Sequence, residues 1–157
     1  MATFVGRFEN KVDAKGRMSV PSRFRAEIER QKDYRGIVVA RSADAGALDA
    51  CDYLRITEVS AALDDPELYN PKDRFEAENV ISTSSLLPFD ENGRVLVPQD
   101  LLAATAIAGS ALFIGVGPTF QIWNPRARAD FEATPFDPSK PAPPSLRLLP
   151  KARRPSA

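Results

Sequence analysis

The chain has 157 residues, 43% of them hydrophobic and 27% charged, enough for one ordinary core under a soluble surface. Lys plus Arg and Asp plus Glu number 21 each, so the formal net charge is zero, and there is one cysteine and no histidine. Those counts exclude an internal disulfide, Ser-His-Asp and Cys-His catalysis, and nearly every transition-metal site.

The charge is segregated along the chain rather than absent. Residues 1–35 hold nine Lys or Arg against five Asp or Glu, residues 44–78 hold three against ten, and residues 136–157 hold five against one. A basic face is therefore compatible with a neutral whole. No apolar run approaches the roughly 20 residues that cross a bilayer, and Met1 to Arg7 lacks the basic-then-apolar pattern of a signal peptide. The expectation is a cytoplasmic protein without a membrane partner.

In chain order, Glu9 to Val20 reads as a hairpin whose loop is Asp13-Ala14-Lys15-Gly16, with Asp opening the turn and Gly closing it. Arg17 and Ser19 alternate with Met18 and Val20 on the strand that follows. Pro21 then suits the start of a helix over Ser22 to Arg30, with Phe24 and Ile28 on one face. Gly36 to Ala40 reads as a buried strand, Arg41 to Ala50 as a polar loop, Cys51 to Ile56 as the partner strand, and 57–63 as a helix. Cys51 is expected to be a small buried apolar residue. Pro71 to Ile81 looks like an acidic amphipathic helix.

A second copy of the same plan follows. Residues 89–101 repeat residues 12–24 at a spacing of 77, with Asp, Gly, Arg, Val and Pro identical. The shared pattern is Asp-x-x-Gly-Arg-φ-x-Val-Pro-x-x-φ, where φ is apolar. After it come a helix from Pro98 to about Ala106, strands over Ala111 to Val116 and Thr119 to Trp123, and a helix near 125–132. From Thr134 onward seven of the fourteen prolines and a basic end accumulate, which reads as a disordered tail.

Asp13 and Asp90 could be imagined as paired acid–base carboxylates, but turn geometry alone explains both. Gly115-Val116-Gly117 is too short for a phosphate loop, and no Walker or dinucleotide pattern is present. The expectation is no enzyme, no cofactor, no metal and no small-molecule substrate.

Nucleic acid fits better. A two-stranded ribbon enters the major groove of B-DNA, and an Arg at a hairpin mouth can fork onto guanine O6 and N7. A Lys at the turn tip suits a phosphate. The candidate DNA-contacting residues are Arg17, Lys15, Asp13, Arg94, Asp90, Lys11 and Arg7. An Arg17–Asp13 ion pair that only braces the turn explains composition and spacing equally well. In the second copy Glu91 and Asn92 replace Ala14 and Lys15, so the first copy is expected to supply more of the electrostatic affinity.

The doubled pattern, with Gly6, Asn10, Phe24-Arg25, Leu101 and the closing Phe120-Gln121-Ile122-Trp123, resembles the MraZ family of bacterial transcription regulators, which carry two SpoVT-AbrB type domains. The resemblance covers about residues 4–132. It implies an α+β, β-rich fold in which two AbrB-like hairpin-helix repeats, 8–63 and 85–132, interlock into one pseudo-two-fold barrel. A helical connector at 64–84 joins them, and the Pro-rich basic tail is 133–157. It further implies a ring-shaped homo-oligomer on double-stranded DNA and association with the nucleoid. The expected action is repression at short G-rich direct repeats before the division and cell wall gene cluster. The family's Asp-x-x-x-Arg residues fall on Asp13 and Arg17 and on Asp90 and Arg94, and the arginine is the one the resemblance ties to DNA. The competing reading is a ring-forming protein scaffold or antitoxin-like module whose hairpins bind protein.

Overall fold

Alternating buried side chains set the sheet, and proline- or asparagine-led segments set most of the helices. A computed structural model describes residues 1–140, 145–147 and 149 of the chain. In order they form β1 (Arg7–Lys11), β2 (Arg17–Ser19), α1 (Ser22–Glu29), β3 (Gly36–Arg41), β4 (Ala47–Cys51), α2 (Tyr53–Leu63) and α3 (Pro71–Ser82). There follow β5 (Ser85–Pro88), β6 (Arg94–Leu96), α4 (Gln99–Thr105), β7 (Ser110–Gly115), β8 (Phe120–Trp123) and α5 (Pro125–Ala133). The result is an α+β fold rich in antiparallel strands.

Helix starts follow local chemistry. Asn70 Oδ1 accepts from Asp73 N at 2.7 Å ahead of Pro71, and Asn124 Oδ1 accepts from Arg126 N at 3.0 Å ahead of Pro125. Pro21 and Pro98 stand one position earlier than expected, at the N-caps of α1 and α4. Phe24 and Ile28 form the buried face of α1, as their spacing requires.

One sheet has six strands in the order β1-β7-β8-β4-β3-β5, and a separate two-stranded ribbon is β2-β6. This overturns the expected hairpin over Glu9 to Val20. Its two arms share one isolated bridge, Val12 with Met18, and a bond from Asn10 Nδ2 to Ser19 O at 2.7 Å, but no ladder, while β1 pairs with β7 and β2 with β6. The turn folds the chain back, but each arm finds its ladder in the other half of the molecule. The expected closed barrel is also corrected: β1 and β5 lie at opposite edges of the large sheet and do not pair with each other.

The partner of β3 is β4 at Ala47–Cys51, not 51–56, and Tyr53 already begins α2. Leu54 and Ile56 alternate like strand residues. Tyr53 and Ile56, three apart, instead pack as one helical face. Cys51 is fully buried, as expected.

The period-2 alternation gives the large sheet two covered faces. Ile37, Val39, Leu48, Ala50, Phe113 and Ile122 meet Met18 and Val95 of the ribbon, with α1 and α4, in the main core. Phe4, Phe24 and Phe120 stack within it at centroid distances of 4.9–5.4 Å. The opposite face carries Val38, Ala40, Cys51, Ala47, Ile114 and Trp123, and α2, α3 and α5 contribute to its cover. The tail expected to be disordered lies mostly outside the described residues, at 141–144, 148 and 150–157. Of its described part, residues 133–140 are exposed, but Leu146 is fully buried on that second face.

Candidate nucleic-acid interface

Each Asp-x-x-Gly-Arg segment builds the same small device. Asp13 Oδ1 accepts from Lys15 N at 3.0 Å and Arg17 N at 2.9 Å, while Oδ2 accepts from Arg17 Nε at 2.7 Å. Asp90 does likewise with Asn92 N at 2.8 Å, Arg94 N at 2.9 Å and Arg94 Nε at 3.0 Å. The glycine N–H closes each turn onto the aspartate carbonyl, and both glycines have positive φ, +91° at Gly16 and +72° at Gly93. The donated backbone hydrogen bond from Arg17 or Arg94, joined by the guanidinium, holds each carboxyl below its ordinary range.

The two devices are joined crosswise. Val97 N donates to Gly16 O at 3.1 Å, and Val20 N donates to Gly93 O at 3.2 Å. Between them β2 and β6 pair with Arg17 opposite Leu96, Met18 opposite Val95, and Ser19 opposite Arg94. Met18 and Val95 enter the core, so Arg17, Ser19, Arg94 and Leu96 share the outward face. Strand spacings put the two arginine Cα atoms about 8 Å apart, at diagonal corners of the ribbon.

The bracing ion pair considered from the sequence is present on both arginines, at exposed positions where such a pair adds little stability. It uses Nε, and the terminal guanidinium nitrogens of Arg17 and Arg94 have no partner among the described residues. The pair therefore orients each fork without occupying it. Lys15 is exposed at the tip of the first turn. Lys11 is exposed at the end of β1, opposite Ser110 of β7 and so in the large sheet rather than in the ribbon. Arg7 stands apart from this group, since its guanidinium pairs with Glu132 of α5.

Sequence reasoning treated the two hairpins as separate ribbons and so missed Ser19 and Leu96 as neighbours of both arginines. The signal that could have found them is the repeat itself, because strands of equal length after equivalent Asp-x-x-Gly turns suit mutual pairing. Arg25, read from the sequence only as part of the family pattern, braces the second turn. Its Nε donates to Val20 O at 3.0 Å, and its guanidinium lies where a Cβ on Gly93 would fall, 2.5 Å away. The second turn thus rests on an arginine, whereas the first rests on Leu102 of α4.

No family model matches the chain. Curated relatives do. A transcriptional regulator MraZ of Rhodospirillum rubrum is 42% identical over 131 residues, covering 81% of this chain and 83% of the relative. The MraZ of Pelagibacter ubique is 37% identical over 129 residues, covering 82% and 83%, and that of Parvibaculum lavamentivorans 34% over 132 residues, covering 83% and 81%. The chain belongs to the MraZ family. Its relatives are named as transcriptional regulators, and it is accordingly a transcription regulator rather than an enzyme. Among the described residues, no helix is long and apolar enough to cross a membrane, and no group of three His, Cys, Asp or Glu side chains gathers to hold a metal ion.

Proposed function

We propose that this MraZ protein binds double-stranded DNA through the outward face of the β2-β6 ribbon, with Arg17 as the principal reader and Arg94 as the second. The observation that carries this reading is the pair of arginines on one exposed face, each held through Nε by its own aspartate with both terminal nitrogens unpartnered among the described residues. That arrangement suits end-on forking onto guanine, and a two-stranded ribbon suits the width of the major groove. Asp13 and Asp90 are positioning residues, and Lys15 is placed for a phosphate. Lys11 adds charge beside the ribbon, and Arg7, tied to Glu132, contributes least.

The wider role follows the family: a ring-shaped homo-oligomer in the cytoplasm, on the nucleoid, repressing the division and cell wall gene cluster at short G-rich direct repeats. A ring supports the reading despite zero net charge, since weak contacts from several subunits combine through effective concentration. Two interlocked SpoVT-AbrB-like repeats, 8–63 and 85–132, joined through 64–84, are supported by the strand order, which reads identically when β1 and β5, β3 and β7, and β4 and β8 are exchanged.

The test is binding to the DNA upstream of its own gene, measured by fluorescence anisotropy across a salt series. Arg17→Ala should lose about 1–3 kcal/mol of discrimination per engaged subunit, which over several subunits removes specific binding. Arg17→Lys keeps the charge but not the fork, so it should retain the non-specific, salt-dependent phase and lose the specific one. Normal specific binding by both variants would refute the assignment and favour a protein-binding ribbon.

A further inference from the structure

The face of the large sheet opposite the ribbon holds a short stretch of tail in a shaped site. Leu146 is fully buried in one cluster with Val38, Ala40, Cys51 and Val80, and Leu149, half-buried, packs against that cluster as Tyr53 and Ile56 do. Backbone recognition accompanies the apolar fit. Arg55 of α2 donates from Nε to Leu146 O at 3.0 Å and from Nη2 to Arg147 O at 3.3 Å. The Ser145 hydroxyl donates to the carboxylate of Asp49, a β4 residue only 1% exposed. Gln121 Nε2 donates to the same carboxylate at 2.9 Å, and Trp123 Nε1 holds Gln121 through its Oε1 at 3.1 Å. A buried carboxylate, a guanidinium reading two carbonyls and a leucine slot together make a site for a Ser-Leu-Arg segment. The groove continues beyond the segment as a cavity of about 530 Å³ that Val38, Tyr53 and Ile56 also line.

We propose that this groove is a peptide-docking site whose ligand is the chain's own tail, held through Ser145, Leu146, Arg147 and Leu149 as a releasable strap. Residues 134–144 separate the strap from the end of α5, a tether short enough to hold the segment near its site at an effective concentration on the order of millimolar. Release exposes Val38, Ala40, Cys51 and Val80 together, an apolar surface on the face away from Arg17 and Arg94.

The chain carries its own reporter, because its single cysteine, Cys51, lies under Leu146 with no exposed surface. The experiment measures the rate at which an aromatic disulfide reagent modifies Cys51 in the full chain. Leu146→Asp should raise that rate roughly tenfold or more, since the leucine slot is emptied. Arg55→Ala, which leaves every apolar contact of Leu146 in place, should raise it roughly fivefold. Both rates should stay nearly flat in mild urea, as expected of local rather than global opening. A synthetic peptide of residues 143–150 should slow the reaction of the Leu146→Asp chain towards the parent rate. The same peptide should leave the parent unchanged until it reaches the millimolar range. Parent-like rates in both variants would overturn the strap. So would a faster rate with the urea dependence of whole-chain unfolding, because the segment would then be ordinary core. A faster rate that the peptide fails to slow would overturn the docking site.

Discussion

One oxygen of Asp13 closes its turn and the other steers Arg17, and Asp90 does the same for Arg94. Both functions need the ionised carboxylate, which gives a pH signature. The folded carboxyls titrate below their ordinary range, chiefly because a backbone N–H of the following arginine stabilises the anion. The unfolded chain therefore binds protons first on acidification. Their contribution is full above the unfolded value near pH 4 and is lost as pH falls through the lower folded values. Asp49 and Asp52 act with the opposite sign. Burial raises both, so their contribution is full below the unfolded value and lost as pH rises through the folded one. A pH curve of the parent mixes the two, and a difference between variants separates them. The melting temperature of an Asp13→Asn, Asp90→Asn chain should lie below that of the parent at pH 6, and the gap should narrow as pH falls below about 4. A gap that persists unchanged at pH 3 would mean that the carboxylate charge is not what these turns use.

The two turns share a backbone but not a support, and glycine substitution should reveal it. At Gly16 a Cβ would lie 2.6 Å from Leu102 Cδ1 and 3.0 Å from the Val97 carbonyl, the acceptor wall of a core-facing turn. At Gly93 the obstacle is the end of the Arg25 side chain, which can swing aside. Both positions carry the cost of a left-handed non-glycine residue, about 1–2 kcal/mol, and Gly16 adds overpacking of similar size. Urea unfolding should therefore rank Gly16→Ala as clearly more destabilising than Gly93→Ala, and equal losses would refute the asymmetry. The turns themselves were legible in the sequence, because Asp at the first position and Gly at the fourth leave few conformations. So were α1, α3 and α5, whose caps and apolar spacing are local. Strand partners were not. Nothing within residues 9–20 says that β1 belongs beside β7, since the ladder is completed by residues about a hundred positions away. The shift of β4 to Ala47–Cys51 has the same origin: Leu48 and Ala50 look like loop residues until β8 lies beside them. The outward face with its two arginines exists only through that long-range pairing. Its charged residues could be named from the sequence, but not their proximity.

At the scale of the whole chain, pairing decides what can fold alone. Four of the six strand pairings join a strand before residue 84 to one after it: β1 with β7, β2 with β6, β3 with β5 and β4 with β8. Only β3 with β4 and β7 with β8 stay within one half. A chain cut between Thr83 and Ser84 leaves a first fragment whose β1 and β2 have no ladder and whose main core lacks Val95, Phe113, Phe120 and Ile122. The second fragment keeps one hairpin, too little to be stable by itself. Neither piece can bury a complete apolar face, because Met18 and Val95 cover the large sheet as a pair. Each fragment alone should therefore show no cooperative thermal transition by circular dichroism. An equimolar mixture should regain strand signal and a single transition whose midpoint rises with concentration, since folding has become association. A fragment that melts cooperatively by itself would show that the halves are independent domains. Recovery in the mixture alone would show that the β2-β6 ribbon, and with it the face carrying Arg17 and Arg94, is a joint product of both halves.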